Sequence, residues 1–244
     1  MDITVILIDG SFRESFHIIE CLKKQNIPSD SFEILWVEYY DKVSPELGRL
    51  KNVNVIKLGF PKTEEYHSSY CFNEGIRQSK GDILVVADAD VLVTHNFLQV
   101  VRDEHQKCEK LAMYFHRVNE PEEFHDVKKS YSIEHIQKVG QITNPSNYGG
   151  CLTVRKKWLA QVNGYEQDRA FKSGFHANGL DMNTRLKNLG LHIMWHPSER
   201  LYHPWHHFTL ASSGNYDAQV KMINKRALHL ETLPNYGLNE LLDK

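Results

Sequence analysis

"GDILVVADADVLV", residues 81–93, decides how this chain is read. Ile83 to Val86 is a short, continuous apolar run, the form taken by a strand buried on both faces. It leads straight into Asp88 and Asp90, and two carboxylates this close repel each other unless a cation or hydrogen-bond donors stand between them. The stretch is therefore either a solvated strand-end turn or half of a cation site.

Working outward, Tyr66–Gln78 reads as a helix, Val53–Leu58 and Phe32–Tyr39 as strands, Phe12–Lys24 as an amphipathic helix and Ile3–Ile8 as a first buried strand. Downstream, residues 96–107 read as a helix and Leu111–Phe115 as a further strand. Alternation of this kind predicts an α/β fold, a mainly parallel sheet flanked by helices. The stretches Arg117–Lys129 and "NPSNYGG" at 144–150 read as loops able to line a cleft. In open α/β sheets ligands collect beyond the carboxyl ends of the strands, where Asp88 and Asp90 are expected to lie.

Composition narrows the partners. The 244 residues suit one large domain, and 41% apolar with 25% charged residues is ordinary for a globular protein. A net charge of −2 offers no footprint for a polyanion, so no nucleic acid partner is expected. The opening apolar run, Ile3 to Ile8, is too short for a signal peptide or a membrane span. Cys21, Cys71, Cys108 and Cys151 are far apart with no CxxC, which fits reduced thiols and a cytoplasmic location. Histidine is the oddity: His192, His196, His203, His206 and His207 crowd one stretch of a chain with 14 in all.

Paired carboxylates with a hard divalent cation suit substrates that bring their own oxygens, above all diphosphates. Further ligands are expected from "LYHPWHH", 201–207, where His203 and His206 can converge on one ion across the bend at Pro204. The same histidines read equally well as core or surface residues stacked near Trp205.

Residues 1–210 resemble the nucleotide-sugar glycosyltransferases of the GT-A (Rossmann-like) fold, family 2 type, with a C-terminal part like that of the galactosyltransferases. Four stretches carry the resemblance: "SYCFNEGIRQSKGDILVVADADVLV", "NYGGCLTVRKKWLAQVNGYEQD", "GLDMNTRLKNLG" and "YHPWHH". It implies a single domain over 1–244, with a nucleotide-binding half (1–117) and an acceptor and metal-tail half (118–244). It further implies that Asp88 and Asp90 hold Mn²⁺ or Mg²⁺ on a nucleoside diphosphate sugar, a UDP-sugar by preference, joined by His203 or His206. Asn73, Arg77 and Asp88 would line the ribose and diphosphate, Glu38 the base, and Asp9, Gly10 and Ser11 the opposite wall. Gly149 and Gly150 would let backbone approach the donor sugar.

For Asp9 to Ser11 a plain strand-to-helix turn is the competing reading, and for Gly149 and Gly150 a tight bend before a strand. The acceptor would be a hydroxyl of a glycan or another molecule. Where inverting relatives carry Glu-Asp, this chain has Asn178-Gly179, and neither residue accepts a proton at neutral pH. Asp181 from a shifted position, or His176, is then the candidate base, or the enzyme retains configuration and needs no such carboxylate; Asn178 and Asp181 also read as a helix-start capping pair. A nucleotide-sugar-binding module without turnover is the alternative. A phosphatase using a strand-end DxD is a weaker one, because such motifs continue Gly-Thr and "DADVLVT" does not.

Overall fold

The computed structural model describes residues 1–11, 15–126, 128–129, 131–172, 177–207 and 215–240. Strand β1 (Ile3–Asp9) lies third in one seven-stranded sheet, beside its central strand. Around it stand β2 (Phe32–Tyr40), β3 (Asn54–Phe60), β4 (Ile83–Asp88), β5 (Leu111–Asn119), β6 (Cys151–Arg155) and β7 (His192–His203), in the order β3-β2-β1-β4-β6-β5-β7. All pairings are parallel except the two made by β6. The sheet is thus mixed and mainly parallel, as expected. The seam expected at 117 falls inside β5, so both halves share it.

Seven α-helices are described: α1 (His17–Leu22), α2 (Ser68–Gln78), α3 (Phe97–Lys107), α4 (Ile133–Val139), α5 (Lys156–Gln161), α6 (Asn178–Asn188) and α7 (Tyr216–His229). The strand side chains alternate between two apolar layers, which is why the runs look continuous in sequence. Ile3, Val5 and Leu7 with Ile83 and Val85 face Ile18, Leu22, Phe97 and Val101. Ile6, Ile8, Leu84 and Val86 face Cys71, Phe72, Ile76, Met182 and Leu186 on the other side. Each fully buried aliphatic side chain here contributes about 1.5–3 kcal/mol of transfer free energy.

Two expectations are corrected. The first helix is shorter than Phe12–Lys24: it spans His17–Leu22, with 12–14 outside the described residues. The stretch after Phe115 is not loop but strand, because Arg117, Val118 and Asn119 pair with Leu201, Tyr202 and His203 of β7.

Parallel register sets the site. Asp9 stands opposite Glu38, and Ile8 opposite Asp88, so three carboxylates rise at the same end of β1, β2 and β4. Antiparallel β6 enters from that end, where the Gly150 carbonyl accepts the Asp88 N–H at 3.0 Å. Among the described residues, no helix is long and apolar enough to cross a membrane.

Candidate functional site

Asp90 follows β4 in a buried turn and is brought to the histidines by backbone pairing. Leu92 and Tyr202 form an antiparallel bridge, with N–H to O distances of 2.7 and 3.0 Å, which sets His203 beside the turn. Asp90 Oδ2 then lies 3.2 Å from His206 Nε2 and 3.6 Å from His203 Nε2. The two imidazole nitrogens are 3.2 Å apart. One ligand atom from each residue falls within 4.8 Å of the others, the spread of a shared cation site. Burial depresses the His203 pKa against the opposing pull of Asp90, which favours the neutral imidazole that a metal requires. One carboxylate oxygen with two imidazole nitrogens fits a first-row divalent ion such as Mn²⁺ better than Mg²⁺, which favours all-oxygen sets.

Asp88 is not part of that trio. Its Oδ2 accepts from Arg117 Nη1 at 3.1 Å, so a cation from β5 partly neutralises it. Arg117 went unnoticed in the sequence because nothing there reveals a pairing across 29 residues.

Asp9, Ser11, Glu38, Phe16, Lys42, Val43, Ser44 and Leu47 line a cleft of about 240 Å³ on the other flank. Ser11 holds a left-handed φ of 56°, a strained choice for a residue with a Cβ. Its hydroxyl lies 2.8 Å from Glu38 Oε1 and 2.7 Å from the Lys42 carbonyl. One proton thus faces two acceptors, a conflict that a protonated Glu38 relieves. Consistently, burial and then the neighbouring Asp9 charge raise the Glu38 pKa from 4.5 to about 7. Asp9 itself accepts from the Gly10 N–H at 2.8 Å.

A pH dependence follows. Between pH 4.5 and about 7 the folded chain holds a proton at Glu38 that the unfolded chain has lost, so stability falls as pH rises through that window. Glu38→Gln is expected to flatten this part of the melting-temperature profile between pH 5 and 8 and to gain several degrees at pH 8. An unchanged slope in the variant would show that Glu38 titrates normally.

Other residues named from the sequence lie elsewhere. Asn73 is fully buried, and its amide is spent on the Tyr165 backbone at 2.7 and 2.9 Å. Arg77 lies in the last turn of α2, toward the opposite end of the sheet, where it pairs with Glu74 and donates to the Leu238 carbonyl at 2.7 Å. Neither is brought to Asp88. Gly149 and Gly150 do lie beside it, and the start of α6 packs on them: a Cβ at Gly179 would fall on the Tyr148 and Gly149 backbone.

Asp181 does not face the cleft. It is 1% exposed, and its carboxylate accepts from Arg185 Nε at 2.8 Å and from Arg226 Nη1. Arg226 also binds Glu166, which accepts the backbone N–H groups of Asp168, Asn235 and Tyr236. Two guanidiniums holding one carboxylate make a buried brace between α6 and α7, poorly suited to taking a proton. His176 lies outside the described residues.

Known proteins resemble this chain in part of its sequence and in its fold. The profile of Glycosyl transferase family 2 matches residues 60–162, a segment that holds Asp88, Asp90, Arg117, Gly149 and Gly150 and ends before the histidine tail. A dolichyl N-acetyl-alpha-D-glucosaminyl phosphate 3-beta-D-2,3-diacetamido-2,3-dideoxy-beta-D-glucuronosyltransferase of Methanococcus voltae is 29% identical over 114 residues. That match takes in 43% of this chain and spans about a third of that relative's length, 35%. Among solved structures, residues 1–349 of S. aureus TarS superpose with a TM-score of 0.65 at 12% identity, over 94% of this chain and 68% of that one. The same TarS fragment in complex with UDP gives 0.64 at 13% identity with the same coverage. The mannosyltransferase PcManGT of Pyrobaculum calidifontis, in complex with GDP-Man and Mn²⁺, gives 0.59 at 14% identity, again over 94% and 68%. The chain has the GT-A glycosyltransferase fold, and its residues 60–162 match the profile of Glycosyl transferase family 2.

Proposed function

We propose that the chain is a metal-dependent glycosyltransferase that moves a sugar from a nucleoside diphosphate sugar, with UDP the preferred nucleotide, to a hydroxyl of a glycan or other acceptor. The observation that carries this reading is the convergence of Asp90 with His203 and His206 beside Asp88 at the carboxyl end of β4. Solved neighbours in complex with UDP or with GDP-Man and Mn²⁺ support a nucleotide donor and a divalent ion.

Each residue then has a task. Asp90 supplies the anionic ligand, and His203 and His206 supply neutral nitrogens. A divalent cation bound there supplies Lewis-acid stabilisation of the charge gathering on the departing diphosphate. Arg117, held by Asp88, adds a fixed positive charge on the same side. Asp9, Ser11 and Glu38 wall the cleft that takes the nucleoside, with Glu38 against the base. Gly149 and Gly150 leave room for the donor sugar beside Asp88. With Asp181 engaged by two guanidiniums, His176 is the group of that segment that would take the acceptor proton.

The deciding test is calorimetric titration of UDP, GDP and their sugar conjugates with Mn²⁺, with Mg²⁺ and with chelator. UDP binding that requires the ion, tighter with Mn²⁺ than with Mg²⁺, is the expected result. No binding of any nucleotide to the folded protein would sink the reading. The second reading, a nucleotide-sugar-binding module without turnover, draws on Asn178-Gly179 and the engaged Asp181. It predicts the same titration but no sugar transfer, and no donor hydrolysis, in any acceptor screen.

A further inference from the structure

Glu120 is a buried carboxylate that none of the tasks above uses. Its side chain is 0% exposed, and a charge removed from water in this way persists only where hydrogen bonds hold it. Three donors do so. The Trp205 N–H reaches Oε2 at 3.0 Å, His125 Nδ1 reaches the same oxygen at 3.0 Å, and His135 Nε2 reaches Oε1 at 2.9 Å. The backbone of the same residue is also engaged: the Glu120 N–H donates to the His203 carbonyl at 2.9 Å.

These bonds flank one proline. His203, Pro204, Trp205 and His206 form the turn that leaves β7, and Pro204 has no N–H with which to anchor it. Glu120 grips the turn on both sides, through the carbonyl before Pro204 and the N–H after it. The next residue is His206, whose ring must stand 3.2 Å from that of His203 for both nitrogens to face Asp90. Among the described residues Glu120 is not in the ligand group, so it can influence an ion only through the turn.

We infer that Glu120 is a positioning residue of the metal centre, clamping the turn that presents His203 and His206. The inference rests on the metal reading proposed above. His125, between β5 and α4, and His135, in the first turn of α4, complete the device by fixing the carboxylate. Groups that orient ligands without touching the ion typically carry about 10–100-fold in metal affinity.

The experiment is a Mn²⁺ titration followed by electron paramagnetic resonance, on the unaltered chain and on Glu120→Gln, with no nucleotide present. Co²⁺-loaded samples of both, at saturation, give visible spectra that report ligand geometry, and melting in chelator reports the fold. The expected result is a dissociation constant about 10–100-fold higher in E120Q with an altered Co²⁺ spectrum, while the metal-free melting temperatures agree within a few degrees. Equal affinity and identical spectra, in variants that fold, would overturn the clamp and leave the metal site standing. Absence of Mn²⁺ binding by the unaltered chain would overturn both together, which separates the two failures. If E120Q does not fold, Glu120→Asp keeps the charge, shortens the reach to Trp205 and must show the same weakening and spectral change.

Discussion

In Asp90→Ala, the ion-dependent part of nucleotide binding is expected to vanish, leaving the weak affinity seen in chelator, and sugar transfer is expected to fall below detection. Asp90 supplies the one anionic oxygen among the three converging ligand atoms. Two neutral imidazoles alone lose both that charge and a third point of attachment. The fold should survive. Burial already lowers the His203 pKa and Asp90 opposes that shift, so removing Asp90 leaves a neutral ring at His203. Calorimetry with and without Mn²⁺, paired with a melting curve, checks both halves. Undiminished Mn²⁺-dependent UDP affinity in the variant would remove the central claim.

Asp181→Asn should do the reverse, costing stability and sparing chemistry. Asp181 sits between Arg185 and Arg226, both essentially fully buried, and its loss leaves Arg226 with Glu166 and Arg185 with the Val162 and Gly164 carbonyls. Breaking a buried ion pair by removing one partner costs about 3–5 kcal/mol. In a domain of this size that lowers the melting temperature by roughly 10 °C or more. Measured well below its own melting point, the variant's turnover should stay within about tenfold of the original, which is less than the about 10²–10⁴-fold that general-base catalysis contributes. A variant that melts normally but has lost turnover would return Asp181 to the role of base.

Most of the sheet was legible because its strands are buried on both faces and therefore appear as unbroken apolar runs. Strand β7 was not, for a physical reason. "HIMWHPSERLYH" is interrupted by Pro197 and three polar residues, and its pairing with β5 slips register at Tyr114 and His116. No period survives such a bulge, and only the partner strand identifies the segment. The site divides in the same way. Asp9, Glu38, Asp88 and Asp90 stand out as candidates because each lies at or just past the end of a recognisable run. His203 and His206 could be read because unusual residues crowd one stretch. Arg117 and Glu120 were invisible, since their partners Asp88 and Trp205 stand 29 and 85 residues away. For Asn73, Arg77 and Asp181 a motif carries residue types, whereas the direction of a side chain depends on what packs against it. Asn73 turns to Tyr165, Arg77 to Leu238 and Asp181 to Arg226.

The placement of β7 at the edge of the sheet has a consequence for how the protein matures. Two of the three converging side chains ride on the end of the last described strand, and Asp90 lies 116 residues before His206 in the chain. Contacts that close such long loops form late, after the central strands and their helices have collapsed. A newly made chain therefore gains most of its secondary structure while still unable to hold an ion, and competence arrives in one step when the edge strand docks. On the metal reading proposed above, an ion that binds only the finished arrangement would stabilise the docked edge by mass action, so metal supply would act on the completion of folding as well.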